Sequence, residues 1–258
     1  MEKCLFNHVY PYVEPLLNQG QHGFRKGRST GTQLVEIFYK IGQELDKGGE
    51  VDVLYLDLSR AFDSVPSNLL CHKLRSFGIH DQLLKWFGSY LNSRTQKVVL
   101  KGEESTPAPV LSGVSQGSIL GPLLFSCYIN DLPDVLTEET LSGLYADDAK
   151  CLRIMRDIFD CIALQGDLDE LAVWCKKWGL SFNKPKCVII SVTRKSNPIL
   201  YHYNMGGTLL ERVRDVKDLG VIVESDLTWN KHVDQIVSKA NSAWYAVRRV
   251  TGNCKKIG

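Results

Sequence analysis

The sequence lacks the features of a secreted, zinc-ribbon or membrane-spanning protein. Its eight cysteines include no Cys-X-X-Cys pair, and nothing marks a secreted disulfide framework, so reduced thiols in an intracellular compartment are predicted. Residues 1–15 show no basic segment followed by an apolar run, and therefore no signal peptide is predicted. No stretch approaches the roughly 18 apolar residues that cross a bilayer. We expect no membrane contact and a cytoplasmic or nuclear location.

The sequence also has little net charge. A formal charge of +2 permits nucleic-acid binding without indicating it, so evidence for such binding has to come from local clusters. The 258 residues are 44% hydrophobic, which is enough for a buried core. Predicted strands and helices are mixed without strict alternation, which favours an α+β fold over a doubly wound sheet.

An apolar strand, VDVLYLD at residues 51–57, organises this prediction. Val51, Val53 and Tyr55 fall on one face, and Leu54 and Leu56 on the other, as in a strand buried on both faces. A hairpin is predicted over 141–154, and single strands over 95–100, within 180–192 and up to Glu224. Apolar spacing predicts helices over 33–45, 69–77, 82–91, 160–178 and 231–250.

Three carboxylates stand at the ends of these apolar segments. Asp57 ends the buried strand, and Asp147 and Asp148 occupy the predicted hairpin turn. Adjacent ionised carboxylates repel one another unless cations lie between them, and hard oxygen ligands select Mg²⁺ or Mn²⁺. Two such ions per site, about 4 Å apart, suit nucleotidyl transfer. Asp is also a common turn residue, so an Asp-Asp pair alone would indicate only a solvated hairpin tip.

Several collinear motifs resemble those of one enzyme family. LDLSRAFDSV, QGSILGPLLF and YADD resemble, in order, the three central palm motifs of reverse transcriptases. QHGFRKGRST, WCKKWGLSFNKPKC and DLGVIVESDLTWNKHV are similar to segments of the non-LTR (LINE-type) retrotransposon enzymes. The resemblance implies a right-hand polymerase palm with partial fingers and the start of a thumb. It implies an RNA-directed DNA polymerase whose partners are an RNA template, a DNA primer and dNTP.

The resemblance also assigns roles to the carboxylates. Asp57 and Asp147 would be the principal metal ligands, and Asp148 the less direct third one. Lys186 matches a lysine that donates a proton to the leaving pyrophosphate, although a plain strand-edge lysine is an equal alternative.

Four residues would contact the nucleotide. Arg25 matches a finger arginine that holds the triphosphate, a role suited to a permanently charged guanidinium. Phe62 occupies the position of the steric gate that excludes a 2′-OH; in isolation it would be a core phenylalanine. Gln116 and Gly117 correspond to a loop that lines the nucleotide and template pocket, and Asp63 either supports the site or is an exposed helix-start residue.

Two basic clusters could contact phosphates. The alternative is a pair of solubilising faces, with the tryptophans of the last helix in the core. The first cluster comprises Lys176, Lys177, Lys184, Lys186, Arg194 and Lys195, and the second Lys231, Lys239, Arg248, Arg249, Lys255 and Lys256.

The resemblance divides the chain into a reverse transcriptase domain over 1–223, with partial fingers at 1–50 and a palm at 51–223, and a thumb helix beginning in 224–258. Because the family has more finger and thumb sequence, a competing hypothesis is a truncated, inactive retrotransposon remnant that at most binds nucleic acid. An RNA polymerase or cyclase with a similar palm is disfavoured by Phe62 and by GFRKGRS.

Overall fold

A computed structural model describes residues 1–92 and 94–251. The helices within these residues are α1 (Glu2–Val13), α2 (Thr30–Asp46), α3 (Ala61–Ser64), α4 (Ser67–Ser76), α5 (Asp81–Leu91), α6 (Gly121–Tyr128), α7 (Ile158–Lys177) and α8 (Asn230–Thr251). The longer strands are β1 (Glu50–Asp57), β6 (Leu141–Tyr145), β7 (Asp148–Ile154), β8 (Val188–Thr193), β12 (Asp215–Asp218) and β13 (Val221–Glu224). The strands of two residues each are β2 (Thr95–Gln96), β3 (Val99–Leu100), β4 (Glu103–Glu104), β5 (Ala108–Pro109), β9 (Asn204–Met205), β10 (Thr208–Leu209) and β11 (Glu211–Arg212).

A five-stranded sheet in the order β11-β8-β1-β7-β6 forms the centre of the fold. Strand β1 lies between β7 and β8 and is antiparallel to both. Its alternating side chains enter two separate cores, as the sequence pattern predicted. Val51 and Val53 pack with α2 residues such as Ile41, whereas Leu54 and Leu56 belong to the larger core that includes α6 and α7. These two layers fix the end of β1, where Asp57 lies.

The segment 95–100 differs from its prediction. Instead of one strand it forms β2 and β3, which pair separately with β5 and β4. Val98, Val99 and Leu100 are 70%, 57% and 68% exposed, so no core imposes the continuous ladder that their β propensity suggests.

The C-terminal part is also less buried than predicted. Strand β13 pairs with β12 in a separate hairpin. No residue of α8 is buried, and Trp244 is 62% exposed, so the tryptophan of this helix is not a core residue. Trp229 lies just before the helix and is half-buried against Phe38, with ring centroids 4.9 Å apart.

The composition predicted neither a membrane-spanning helix nor disulfide bonds. Within residues 1–92 and 94–251, every helix is too short or too polar to cross a membrane. The seven cysteines in this part of the chain are free thiols, whereas Cys254 lies outside the described residues.

Candidate active site

The strand register brings the predicted carboxylates together. In the antiparallel ladder of β1 and β7, Asp57 is the direct partner of Asp148, so both Cβ atoms lie on one face, typically about 5 Å apart. Asp148 also pairs with Tyr145, which makes Ala146 and Asp147 the two-residue turn between β6 and β7. Like charges directly opposite one another destabilise a sheet. The strand ends therefore concentrate negative charge at one edge.

Backbone contacts hold Asp57 in place. Its carbonyl oxygen accepts a hydrogen bond from the Asn183 N–H at 2.8 Å, and its own N–H donates to Cys187 Sγ at 3.4 Å. The Asp57 side chain is about one-third exposed, and Lys186 Nζ lies 3.7 Å from its Oδ2. The fold thus pairs one predicted metal ligand with the predicted proton donor at the cavity edge.

A cavity of about 700 Å³ opens beside these residues. It is lined by Asp57 at the end of β1, Asp147 in the β6–β7 turn, Phe62 of α3, and Gln116 and Gly117 of the glycine-rich loop. Asn183 and Lys186 also lie on its wall. Asp148 lines a second cavity of about 450 Å³ that extends to the β12–β13 hairpin, and Asp57 and Lys186 border both cavities. Seven of the eight predicted site residues therefore lie at one place.

The carboxyl of Asp148 is electrostatically unfavourable as an anion. Partial burial, which removes water from the charged form, is the main cause that raises its pKa, and the charge of Asp147 is the second. Part of the Asp148 surface nevertheless stays exposed. A cation bound here would relieve this repulsion.

Phe62 packs against the core and also lines the cavity, and its role as a steric gate stays a prediction. Its ring stacks on Phe125 with centroids 4.4 Å apart. The ring of Phe24 is nearly perpendicular to it, with centroids 6.0 Å apart. At the same time the ring lines the larger cavity. Packing against Phe125 therefore fixes the position of the Phe62 ring in the cavity wall.

Side-chain and backbone hydrogen bonds attach the glycine-rich loop to the segment that begins at Phe62. Gln116 Nε2 donates to Asp63 Oδ1 at 2.8 Å, which assigns Asp63 a supporting contact. Val114 N–H donates to the Phe62 carbonyl at 2.8 Å. Gly113 lies at φ +92°, and a Cβ there would fall 2.8 Å from Asp63 Cα, so this turn needs glycine twice over.

Arg94 is a supporting residue that the sequence did not reveal. Its guanidinium donates to Ser115 Oγ at 2.7 Å and to the Gly113 carbonyl. Arg94 precedes a pair of short hairpins with no motif of its own, and its partners are about twenty residues downstream, so no local pattern pointed to it.

Arg25 does not lie in the cavity, contrary to its predicted role. The side chain is 8% exposed, its NH2 donates to Glu14 Oε1 at 2.7 Å, and its NH1 donates to the Asn18 carbonyl at 2.9 Å. The guanidinium is therefore used within the fold. The physical reason is an acidic side chain eleven positions upstream, which folding brings beside it.

Arg60 is the arginine that lines the cavity. It is exposed, has φ +48°, and forms no ion pair with a carboxylate of the described residues. Its carbonyl accepts from Asp63 N–H and Ser64 N–H, both at 2.9 Å, which fixes its backbone. The available signal was its place three residues after Asp57.

The basic clusters are partly engaged by the protein itself. Lys184 Nζ donates to the Gly206 carbonyl at 2.7 Å, and Lys195 Nζ lies 3.7 Å from buried Glu50. Lys176 and Lys177 are exposed at the end of α7. In the second cluster, Lys231, Lys239, Arg248 and Arg249 are exposed on α8, whereas Lys255 and Lys256 lie outside the described residues.

The sequence is similar to known proteins over most of its length. Residues 1–223 match the family model described as reverse transcriptase (RNA-dependent DNA polymerase). The chain is 31% identical over 245 residues to the RNA-directed DNA polymerase from mobile element jockey of Drosophila funebris, covering 92% of this chain and 26% of that protein. It is 31% identical over 228 residues to the probable RNA-directed DNA polymerase from transposon BS of Drosophila melanogaster, covering 84% of this chain and 25% of that protein. The chain thus spans about a quarter of the length of these curated relatives.

One solved structure extends the comparison to the fold. Apo telomerase from Candida tropicalis, truncated from its C-terminal domain, superposes with a TM-score of 0.60 at 14% identity, covering 89% of this chain and 44% of that one. At this identity the likeness shows a shared fold alone. It confirms the predicted α+β polymerase class.

Proposed function

Because this chain belongs to the reverse transcriptase (RNA-dependent DNA polymerase) family, we propose that its cavity adds a deoxynucleotide to a DNA primer 3′-OH opposite an RNA template. Membership confirms the family predicted from the motifs, and the mobile-element relatives confirm its non-LTR character.

One observation carries the proposal. Asp57, Asp147, Phe62 and Gly117 come from three separate chain segments and line one cavity of about 700 Å³. That volume lies within the usual range of small-molecule sites. A dNTP needs carboxylates near its phosphates and a flat surface beneath its sugar, and the cavity lining includes both carboxylates and an aromatic ring.

The donor set fits divalent cations, which reverse transcriptases generally use. Among the described residues, no three His, Cys, Asp or Glu side chains form a preassembled cage. Mg²⁺ does not require one, because it is commonly held by one or two carboxylates together with substrate phosphates. Asp57 and Asp147 would hold two Mg²⁺ or Mn²⁺ ions, with Asp148 as the less direct third carboxylate. Such ions stabilise the attacking and leaving oxygens of an in-line transfer.

The remaining residues act on the nucleotide directly. Phe62, held by Phe125, excludes a 2′-OH and so selects dNTP over NTP. Arg60 takes the triphosphate role first assigned to Arg25, because it is the arginine on the cavity wall. Lys186 Nζ, near Asp57, supplies a proton to the leaving pyrophosphate; a lysine that only balances the charge of Asp57 is the alternative.

We also propose which parts of the chain form the fingers, palm and thumb of the polymerase. Residues 1–50 contribute partial fingers and residues 51–223 the palm. The thumb begins in 224–258, of which 252–258 lie outside the described residues.

The competing proposal is a chain that binds nucleic acid without catalysis. It is favoured by α8, whose basic and apolar side chains are all at least partly exposed. Such a helix can contact a phosphate backbone without a functioning cavity.

Primer extension separates the two proposals. The 258-residue chain is given an RNA template, an annealed DNA primer, dNTPs, and Mg²⁺ or Mn²⁺. We expect extension by the wild type, its loss in Asp57→Ala and Asp147→Ala, and its retention in the matched control Asp134→Ala, whose exposed carboxyl is outside the cavity. Binding of the template–primer without any extension would establish the non-catalytic alternative.

A further inference from the structure

The segment just before the basic loop lies along the edge of the sheet. Gln21 forms a parallel bridge with Leu144 of β6. The Leu144 N–H donates to the Gly20 carbonyl at 2.9 Å, and the His22 N–H donates to the Leu144 carbonyl at 2.8 Å. Residues 20–22 therefore run along β6 and are joined to it by a single β-bridge. This places Gln21 beside the turn that carries Asp147.

The Gln21 side chain reaches the backbone of that turn. It is 1% exposed, and its Oε1 accepts from the Gly23 N–H at 2.7 Å and from the Ala146 N–H at 3.2 Å. Both partners are N–H donors, which fixes the amide with its oxygen toward them. Ala146 lies at φ +57°, a left-handed conformation that is unfavourable for a non-glycine residue. The turn thus adopts a strained shape whose buried N–H is satisfied from another segment.

Gly23 closes the same contact through its backbone. A Cβ added to Gly23 would fall 2.2 Å from Ala146 N and 3.0 Å from the Tyr145 carbonyl carbon. These are backbone atoms, which cannot move aside as a flexible side chain would. Glycine is required here by close approach to the turn.

We propose that Gln21 and Gly23 are positioning residues that clamp the Ala146 backbone and thereby set the place of the Asp147 carboxylate. The clamp rests on the proposed function, since Asp147 matters as a ligand only if the cavity binds a divalent cation. It touches neither nucleotide nor metal, and it acts through the turn. Loss of the clamp lets the turn relax and displaces the Asp147 carboxylate. This displacement weakens the binding of the cation more than that of the nucleotide.

The chain offers a matched control for this clamp. Gln33 is also 1% exposed and packs near β6, where its Nε2 would be 3.3 Å from a Cβ on Gly143. Neither polar atom of the Gln33 side chain has a hydrogen-bond partner among the described residues. Gln21→Met and Gln33→Met thus remove the same amide from equally buried places, and only the first removes a bond to the turn.

The experiment measures Mn²⁺ binding by calorimetry on the full chain, together with thermal melting and the Mg²⁺ concentration that gives half-maximal extension. We expect Gln21→Met to weaken Mn²⁺ binding about 10-fold, the lower end for residues that orient a metal ligand, and to raise the Mg²⁺ requirement similarly. Gln33→Met should leave both unchanged. Gly23→Ala should reproduce the Gln21→Met effect more strongly if it folds.

The outcomes separate the clamp from the proposed function. If the wild type extends no primer but binds Mn²⁺, and Gln21→Met weakens that binding, the polymerase activity is refuted. The clamp is then still supported. Equal Mn²⁺ affinity in the wild type and Gln21→Met overturns the clamp, even if the variant melts earlier, because Gln21 then only stabilises the fold. A wild type that binds no Mn²⁺ overturns it as well.

Discussion

The cavity has a strand side and a loop side, and different contacts hold the two in place. On the strand side, Asp57 and Asp148 are set by the register of β1 and β7 within a sheet buried on both faces. On the loop side, Phe62 and Gln116 lie in segments joined by two backbone and two side-chain hydrogen bonds. A ladder of many bonds tolerates the loss of one, whereas a loop held by a few does not. Substitutions on the strand side should therefore leave the geometry of the cavity unchanged, and those on the loop side should change it.

The largest effect is expected from Asp147→Asn. The substitution keeps the size of the side chain and removes its charge, so kcat should fall on the order of 10³-fold or more while thermal stability is maintained. Single-turnover extension and a melting curve measure the two. Asp134→Asn is the control. A kcat within tenfold of the wild type would mean that the strand side does not carry the reaction.

Phe62→Val tests the loop side through specificity. A smaller side chain leaves room for a 2′-OH, so discrimination between dNTP and NTP should fall on the order of 10²-fold, mainly through improved NTP use. Because Phe62 also stacks on Phe125, the melting temperature should drop. Competitive incorporation of dGTP and GTP is the measurement. Unchanged discrimination with lowered stability would leave Phe62 as a core residue only.

Arg94→Met breaks the support of the loop without touching the cavity lining of Phe62 or Gly117. It removes the donors to Ser115 Oγ and the Gly113 carbonyl. We expect a destabilisation of about 1–3 kcal/mol and a rise in the KM for dNTP of about tenfold, with a smaller change in kcat. Arg94→Lys should restore part of both. If only stability changed, the loop would hold its shape without Arg94.

Arg60→Ala and Arg25→Ala form a matched pair that distinguishes a ligand-binding arginine from a structural one. Removing Arg60 should raise the KM for dNTP about tenfold, because a charge-assisted contact to phosphate is lost, with little change in melting temperature. Removing Arg25 should leave KM unchanged and destabilise the fold by about 1–3 kcal/mol, since Glu14 loses its partner. The opposite pattern would restore the role that the motif assigned to Arg25.

These two arginines show what the sequence could predict. The strand side was predictable because alternating apolar residues fix a buried strand, and the position of Asp57 follows from where that pattern ends. The contacts of Arg25 and those of the loop side depend on partners elsewhere in the chain, such as Glu14 for Arg25 and Gly113 for Arg94. A local pattern does not encode such partners. The same limit hid Gln21, whose contact with Ala146 spans 125 positions.

Asp148→Asn gives the smallest effect and tests the strand side through stability alone. Partial burial and the charge of Asp147 raise the pKa of Asp148, so the Asp148 carboxyl holds its proton more tightly in the folded state than in the unfolded state. Stability from this group is therefore present below the ordinary value of 3.8, falls as pH rises through the interval up to the raised pKa, and stays reduced above it. The amide introduced by the substitution cannot ionise. In EDTA at neutral pH the variant should melt slightly above the wild type, and the difference should vanish in acid. Mg²⁺ should reverse the order, because it stabilises the wild type more than the variant, which has lost one of the three carboxylates. A variant that melted lower than the wild type in EDTA at neutral pH would show that repulsion among these carboxylates does not strain the metal-free fold.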